Sequence, residues 1–224
     1  MESVLHSTNI ITHIVAGTFA LIIGFIILIK KKGTLTHKRI GRWFLISMIL
    51  VVLTGAVGVI IFNRNLFLLV LTTLVGYNTY SGIRIIRTKT NEPKMVDFSA
   101  MIFAVVTTLY FLYYLKTIGF YWNPVIIYST VGYLFMVIAY DLLRYLIPIS
   151  NYGNLWLYEH TCKMISALGG LLSAFVGTIL PDYKPYSQFL PSAIMTIVMI
   201  IFVIMTRQKL KKNSKFMVRG GRNQ

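Results

Sequence analysis

The chain offers few groups able to do chemistry, and they fall close together. The stretch LWLYEHTCKMISALGG (155–170) places Glu159, His160 and Lys163 at the head of an apolar run, and DLLR (141–144) sets Asp141 and Arg144 one helical turn apart in another. Carboxylates and cations at these spacings form ion pairs or pass protons. Histidine does the same near neutral pH and also ligates metals. Two further histidines, His13 and His37, lie in the N-terminal part of the chain.

Three readings of these residues compete. In the first, Asp141 and Arg144 form a local ion pair, Glu159 sits in a first helical turn opposing the macrodipole, and His160 and Lys163 snorkel to a membrane surface. In the second, His13, His37, Asp141, Arg144, Glu159, His160 and Lys163 include a ligand or proton site, as inward ionisable groups on membrane helices generally do. In the third, His37 and His160 hold a divalent metal or a b-type haem. The single cysteine, Cys162, excludes an intramolecular disulfide and any cysteine-based metal motif.

The elements that must position these groups are membrane helices. Of 224 residues, 56% are hydrophobic and 12% charged, where a soluble domain carries about 25% charged. The mean hydropathy is +0.71. A membrane helix needs about 20 mostly apolar residues, because each backbone polar group must be paired within the hydrocarbon. Seven segments meet that need: 8–30, 42–62, 65–86, 97–116, 123–147, 158–180 and 187–206. The expected architecture is all-α, one seven-helix transmembrane domain over 1–206 with a basic tail over 207–224. The N-terminal MESVLHSTN lacks a basic n-region, so the first helix is expected to be retained.

The 22 Lys and Arg against 6 Asp and Glu are distributed by topology. Alternate connections and the tail hold eighteen of them, including Lys30, Lys31, Lys32, Lys38, Arg39, Arg42, Arg84, Arg87, Lys89 and Lys94; the opposite connections hold Arg64, Lys116 and Lys184. The positive-inside rule then places the N-terminus outside and the C-terminus in the cytoplasm of a bacterial cytoplasmic membrane. The tail and basic loops are expected to meet anionic lipid rather than nucleic acid, since no folded aromatic platform accompanies them. Aromatic residues Tyr110, Tyr113, Tyr114, Phe120, Tyr121 and Trp122 crowd one outer boundary, as an interfacial belt does.

Helical spacing aims the candidates inward. His13, Gly17, Ala20 and Gly24 share one face of the first segment, and His160, Lys163, Ala167, Gly170, Ala174 and Gly177 share one face of the sixth. Small-residue faces of this kind are packing seams, and they also suit a membrane-protein partner or a second copy. His13 lies about 25 Å along the helix from the inner end at ~1.5 Å per residue, so it cannot share a haem with His160. His37, in the first basic connection, is at His160's level. An inner cluster of His37, His160, Glu159, Asp141, Arg144, Asp97 and Arg84 follows, and Tyr77, Asn78, Tyr80, Tyr133 and Tyr140 are placed to line a polar cavity.

Several activities are excluded by what is missing. The last segment has no mid-membrane lysine for a retinal Schiff base and no HxxxH pair for a seven-helix zinc hydrolase. No P-loop, G-x-S-x-G or H-E-x-x-H is present. Whether the protein is an enzyme, a binder of a small ligand, lipid or redox cofactor, a small-molecule or proton-coupled transporter, or an accessory protein stays open at this point.

The run from 13 to 58, with His13, Gly17, Gly24, Gly33, His37, Lys38, Gly41 and Arg42, resembles an uncharacterised bacterial family of multi-pass membrane proteins with an H…G…G helix and a G…H-[KR]-x-x-G-R turn. LVGYNTYSGIRIIRTK (74–89) and YEHTCKMISALGGLLSAF (158–175) are similar to that family's glycine-arginine helix end and H-x-x-[RK]-M helix start, here His160, Lys163 and Met164. The resemblance implies a membrane protein without a known activity, and it singles out the same three histidines. The family often carries further arginines near the third histidine; only Lys163 stands here, which weakens an anion site at that point.

Overall fold

A computed structural model describes residues 2–62, 66–118 and 123–220, with side chains described for 3–62, 66–117 and 123–211. Arg64, the aromatic residues Phe120, Tyr121 and Trp122, and the tail side chains beyond Lys211 lie outside these. The described chain is all-helical. Its order is α1 (Glu2–Ile29), α2 (Leu35–Ile60), α3 (Phe67–Thr88), α4 (Met95–Ile118), α5 (Pro124–Leu143), a 3-10 turn (Arg144–Leu146), the short α6 (Ile149–Tyr152), α7 (Leu155–Ile179), a second 3-10 turn (Pro181–Tyr183) and α8 (Tyr186–Gly220).

Six of these helices, α1, α2, α4, α5, α7 and α8, are long and apolar enough to cross a membrane. The seventh long helix, α3, is not apolar enough by composition, because TTLVGYNTYSGIRIIRT fills it with polar groups. Packing explains the exception. α3 touches α2, α4, α5 and α7 and forms the wall between two apolar cores. Leu74 and Tyr77 belong to the core shared with α4 and α5, while Val75 belongs to the core of α1, α2, α7 and α8. A helix enclosed by protein meets little lipid, so its hydroxyls can be satisfied internally: Thr73 and Thr79 donate to Leu69 and Val75 carbonyls at 2.8 Å each. The lipid-type surface lies instead on the outer helices, where Phe19, Phe103, Ile197 and Ile201 are exposed.

Local chemistry fixes the ends. α2 begins earlier than hydropathy alone implies, because Thr34 caps it: its hydroxyl accepts from the His37 N–H at 3.2 Å, and Gly33 supplies a left-handed turn at φ +83°. His37 therefore stands in the first turn of α2 and not in a loop. Asn123 caps α5, accepting from Val125 N–H at 3.0 Å with Pro124 at the first helical position. α7 begins at Leu155, so Glu159 lies beyond its first turn and has no role as a terminal dipole partner.

The predicted seams are packing surfaces. A Cβ built on Gly24 would meet Leu168 Cδ1 at 2.5 Å, and one on Gly170 would meet Val75 Cγ2 at 2.8 Å. These close approaches bring α1 and α3 onto α7. At one end of the bundle, Lys32 lies over the Phe202 ring at 4.7 Å and Lys89 over Trp156 at 5.2 Å. Asn91 there donates to the Arg144 and Ile147 carbonyls at 3.0 and 2.6 Å. The basic connections thus share one end, and the candidate site lies just inside it.

Candidate functional site

α5 and α7 are joined mainly by long polar side chains. Asp141, in the last turn of α5, accepts from Lys163 of α7 through Oδ1 and from the Tyr77 hydroxyl of α3 through Oδ2, the latter at 2.7 Å. Arg144, one turn on, donates from Nη1 to Glu159 Oε2 at 2.6 Å. Tyr140 donates to the other Glu159 oxygen at 2.8 Å. Arg144 also donates to the Tyr152 and Tyr145 hydroxyls at 3.4 Å each, and its guanidinium lies over the Tyr145 ring at 5.0 Å. Asp141 is 1% exposed, and Arg144, Glu159 and Lys163 are 4% exposed each.

Two acids and two bases make this network formally neutral. Removing a charge from it strands its partner, which costs about 3–5 kcal/mol when a buried pair is broken. The local Asp141–Arg144 pair expected from spacing does exist, but Arg144 Nε stands 3.6 Å from Asp141 Oδ1 and the closer partner is Lys163. Lys163 therefore does not snorkel. Its position, eight residues into α7, lies about 12 Å along the axis from Leu155 at ~1.5 Å per residue.

A second group sits across α3. Arg84 Nη2 meets Asp97 Oδ2 at 2.8 Å, and Tyr80 donates to Asp97 Oδ1 at 3.0 Å. The Lys94 N–H also reaches Asp97 Oδ2, at 2.9 Å, so the carboxylate closes the start of α4. Between the two groups lies a void with about 10 Å³ for the centre of a water-sized sphere, bounded by Tyr77, Tyr80, Ser81, Asp97, Asp141 and Arg144 among others.

The histidines stand apart from these acids. Glu159 faces α5, whereas His160 faces α3, with Nδ1 at 2.8 Å from the Gly82 carbonyl. A carbonyl only accepts, so Nδ1 carries the proton and the lone pair is left on Nε2. Gly82 permits this contact, since a Cβ there would meet Met164 Sδ at 2.9 Å and Lys163 Cβ at 3.2 Å. His37 lies within electrostatic range of His160 and Lys32, with its Nδ1 buried and unpartnered among the described residues. His13 is at the opposite end of the bundle, its Nδ1 at 2.8 Å from Thr54 Oγ1. That hydroxyl already donates to Leu50 O at 2.6 Å, so His13 Nδ1 is also the donor.

Among the described residues no three or more His, Cys, Asp or Glu side chains gather as metal ligands. His160 nevertheless shows the arrangement common to haem and metal ligands, with one ring nitrogen donating to a carbonyl and the other unprotonated. Outside the membrane-type segments, burial pushes the Lys32 amine below its ordinary pKa. Burial first, and the Glu159 charge second, push the Tyr152 phenol up.

Of the tyrosines expected around a cavity, Tyr77 and Tyr80 line the void. Tyr140 is taken up by Glu159, and Tyr133 meets Ser166 at 2.5 Å. Asn78 turns back to its own helix, donating to Leu74 O at 2.9 Å. Sequence reasoning missed Ser81, Asn91, Tyr145 and Tyr152. Only Tyr145, beside Arg144, gave a signal that spacing could have used. Farther along α7 from the network come further hydroxyls, Ser166 and Ser173, the latter 2.6 Å from Ser192 of α8. Compared with family models, curated proteins and solved structures, the chain has no match in any of the three.

Proposed function

We propose that this is a seven-helix protein of the cytoplasmic membrane, N-terminus outside and C-terminus inside, that translocates protons as a proton-coupled transporter does. The observation that carries the reading is the Asp141–Lys163–Arg144–Glu159 network. Four ionisable groups are buried between helices of membrane-crossing length, and such groups in membrane helices serve ion or proton pathways. An enclosed α3 beside six helices of membrane-crossing length favours a count of seven, and eighteen basic residues at alternate connections favour the orientation.

The network suits proton work because it is balanced. A proton taken by Asp141 leaves Lys163 without its counter-charge and loosens the attachment of α5 to α7. Loss of that proton restores it. The protonation state is thereby linked to the separation of two helices. The hydroxyls of Tyr133, Ser166 and Ser173 extend polar groups from the network toward the far end of α7. Infrared difference spectra of the reconstituted protein test this step: acidification is expected to raise a carbonyl band of a protonated carboxylic acid, missing in Asp141→Asn. A spectrum with no such band wherever the protein stays folded contradicts it.

A second reading, a b-type haem or other small ligand held near His160, is favoured by the Nε2 lone pair and the unpartnered His37 Nδ1. It predicts a reduced-minus-oxidised haem spectrum in protein purified from haem-replete cells, abolished by His160→Ala. A colourless, folded preparation from such cells sinks it.

A further inference from the structure

The void between the two ionic groups has unmet hydrogen-bonding capacity on its walls. Ser81 Oγ and Arg144 Nε are both buried and have no hydrogen-bond partner among the described residues, and both residues bound the void. Ser81 is 5% exposed and Arg144 4%. A buried hydroxyl and a buried guanidinium N–H left unpaired are each costly, so a polar occupant is called for. The two carboxylates Asp97 and Asp141 also bound the void, and their remaining lone pairs favour an occupant that can donate as well as accept.

Size selects among candidates. The ~10 Å³ open to the centre of a water-sized sphere is about the minimum that holds one water, and a water needs two to four polar partners. The separation of 3.6 Å between Arg144 Nε and Asp141 Oδ1, just beyond a direct bond, is where a bridging water is expected. A bare anion would meet two carboxylates, and a cation would meet two arginines. A neutral molecule with two donors and two acceptors meets neither penalty.

We infer that the void is a specific hydration site: one internal water accepts from Arg144 Nε–H and the Ser81 hydroxyl and donates to Asp97 and Asp141. The site joins the Asp97–Arg84–Tyr80 group to the Asp141–Lys163–Arg144–Glu159 network. The relay role, which rests on the proton-translocating reading above, then follows. When Asp97 is protonated, the Ser81 hydroxyl turns away from the water and frees one of its two lone pairs, which accepts from the Asp97 acid while the other stays on Arg144 Nε–H. The water then forms a new O–H bond with the Asp97 proton as its own proton, the one donated to Asp141, passes to that carboxylate. The water is regenerated, and the net change is one proton moved across α3.

The test uses the full chain in lipid nanodiscs at a resolution where ordered waters are seen, together with infrared spectra in ordinary and heavy-oxygen water. The expected result is density for one water within hydrogen-bonding distance of Ser81 Oγ and Arg144 Nε, and an isotope-sensitive O–H band. Both are expected to be lost in Ser81→Val, whose added methyls fill the void. If that variant does not fold, Ser81→Ala keeps the space but removes one donor, and the band is expected to shift. An unchanged band in Ser81→Ala, no density where waters of similar burial are visible, or chloride-dependent density of a heavier ion would each overturn the site. A water without the protonated-carboxyl band sinks the proton reading and leaves the hydration site; the band without the water sinks the hydration site alone.

Discussion

Lys163→Met is expected to destabilise the protein by about 3–5 kcal/mol, the usual cost of breaking a buried ion pair from one side. The substitution keeps the length and apolar stem of the side chain, so lost packing is a minor part of the effect. What remains is the buried Asp141 side chain without its nearest cation, held by the Tyr77 hydroxyl and by an Arg144 Nε that stands 3.6 Å away. Adding Asp141→Asn removes the stranded charge while its amide oxygen still accepts from Tyr77. The double variant is therefore expected to recover at least half of the loss, as read by thermal or denaturant unfolding in detergent. If Lys163 merely snorkelled to the headgroups, the single change would cost little and the second would add its own cost. Additive losses in the two variants would show that the pair is not coupled.

Much of the architecture was legible because the bilayer reduces the problem to length and apolarity. All seven segments correspond to long helices, most ends being displaced by a few residues; α8 is the exception, since it runs on to Gly220 through most of the stretch expected as a tail over 207–224. The early start of α2, at Leu35 where hydropathy gave 42, has a specific cause: hydropathy marks where a helix becomes apolar, whereas Thr34 and Gly33 mark where it starts. α3 shows the converse. Its segment was long enough to select, yet its polar content makes sense only once the helices around it are known, since enclosure by protein is a tertiary property.

The site was legible in part. Helical spacing correctly aimed Lys163 inward and identified the packing glycines of α1 and α7. Charge distribution placed Asp141, Arg144 and Glu159 at one level. Spacing could not tell which neighbours would meet. His160 and Glu159, adjacent in sequence, point to different helices, so the single inner cluster expected from their level divides into an ionic network toward α5 and a histidine against Gly82. Ser81 and Asn91 carried no signal at all. A serine in a helix or an asparagine in a short connection commonly bonds nearby backbone, and only the void and the Arg144 carbonyl distinguish Ser81 of α3 and Asn91 of the α3–α4 connection.

The largest functional effect is expected from Asp141→Asn. Asparagine is nearly the same size and preserves an acceptor for Tyr77, but it has no carboxylate to take and release a proton. Because the change also leaves Lys163 without its counter-charge, the loss of movement must be compared with a stability control, and the double variant with Lys163→Met supplies one: more stable than Lys163→Met alone, and still without proton movement. A merely structural network would regain function together with stability. The decisive measurement is proton entry into vesicles containing the full-length protein, read by an enclosed pH indicator while a potassium gradient and valinomycin impose a membrane potential. Wild-type vesicles are predicted to acidify well above the protein-free rate, and Asp141→Asn vesicles to match that rate. Wild-type protein, folded and correctly inserted, that moves protons no faster than protein-free vesicles under either sign of the potential would contradict the account.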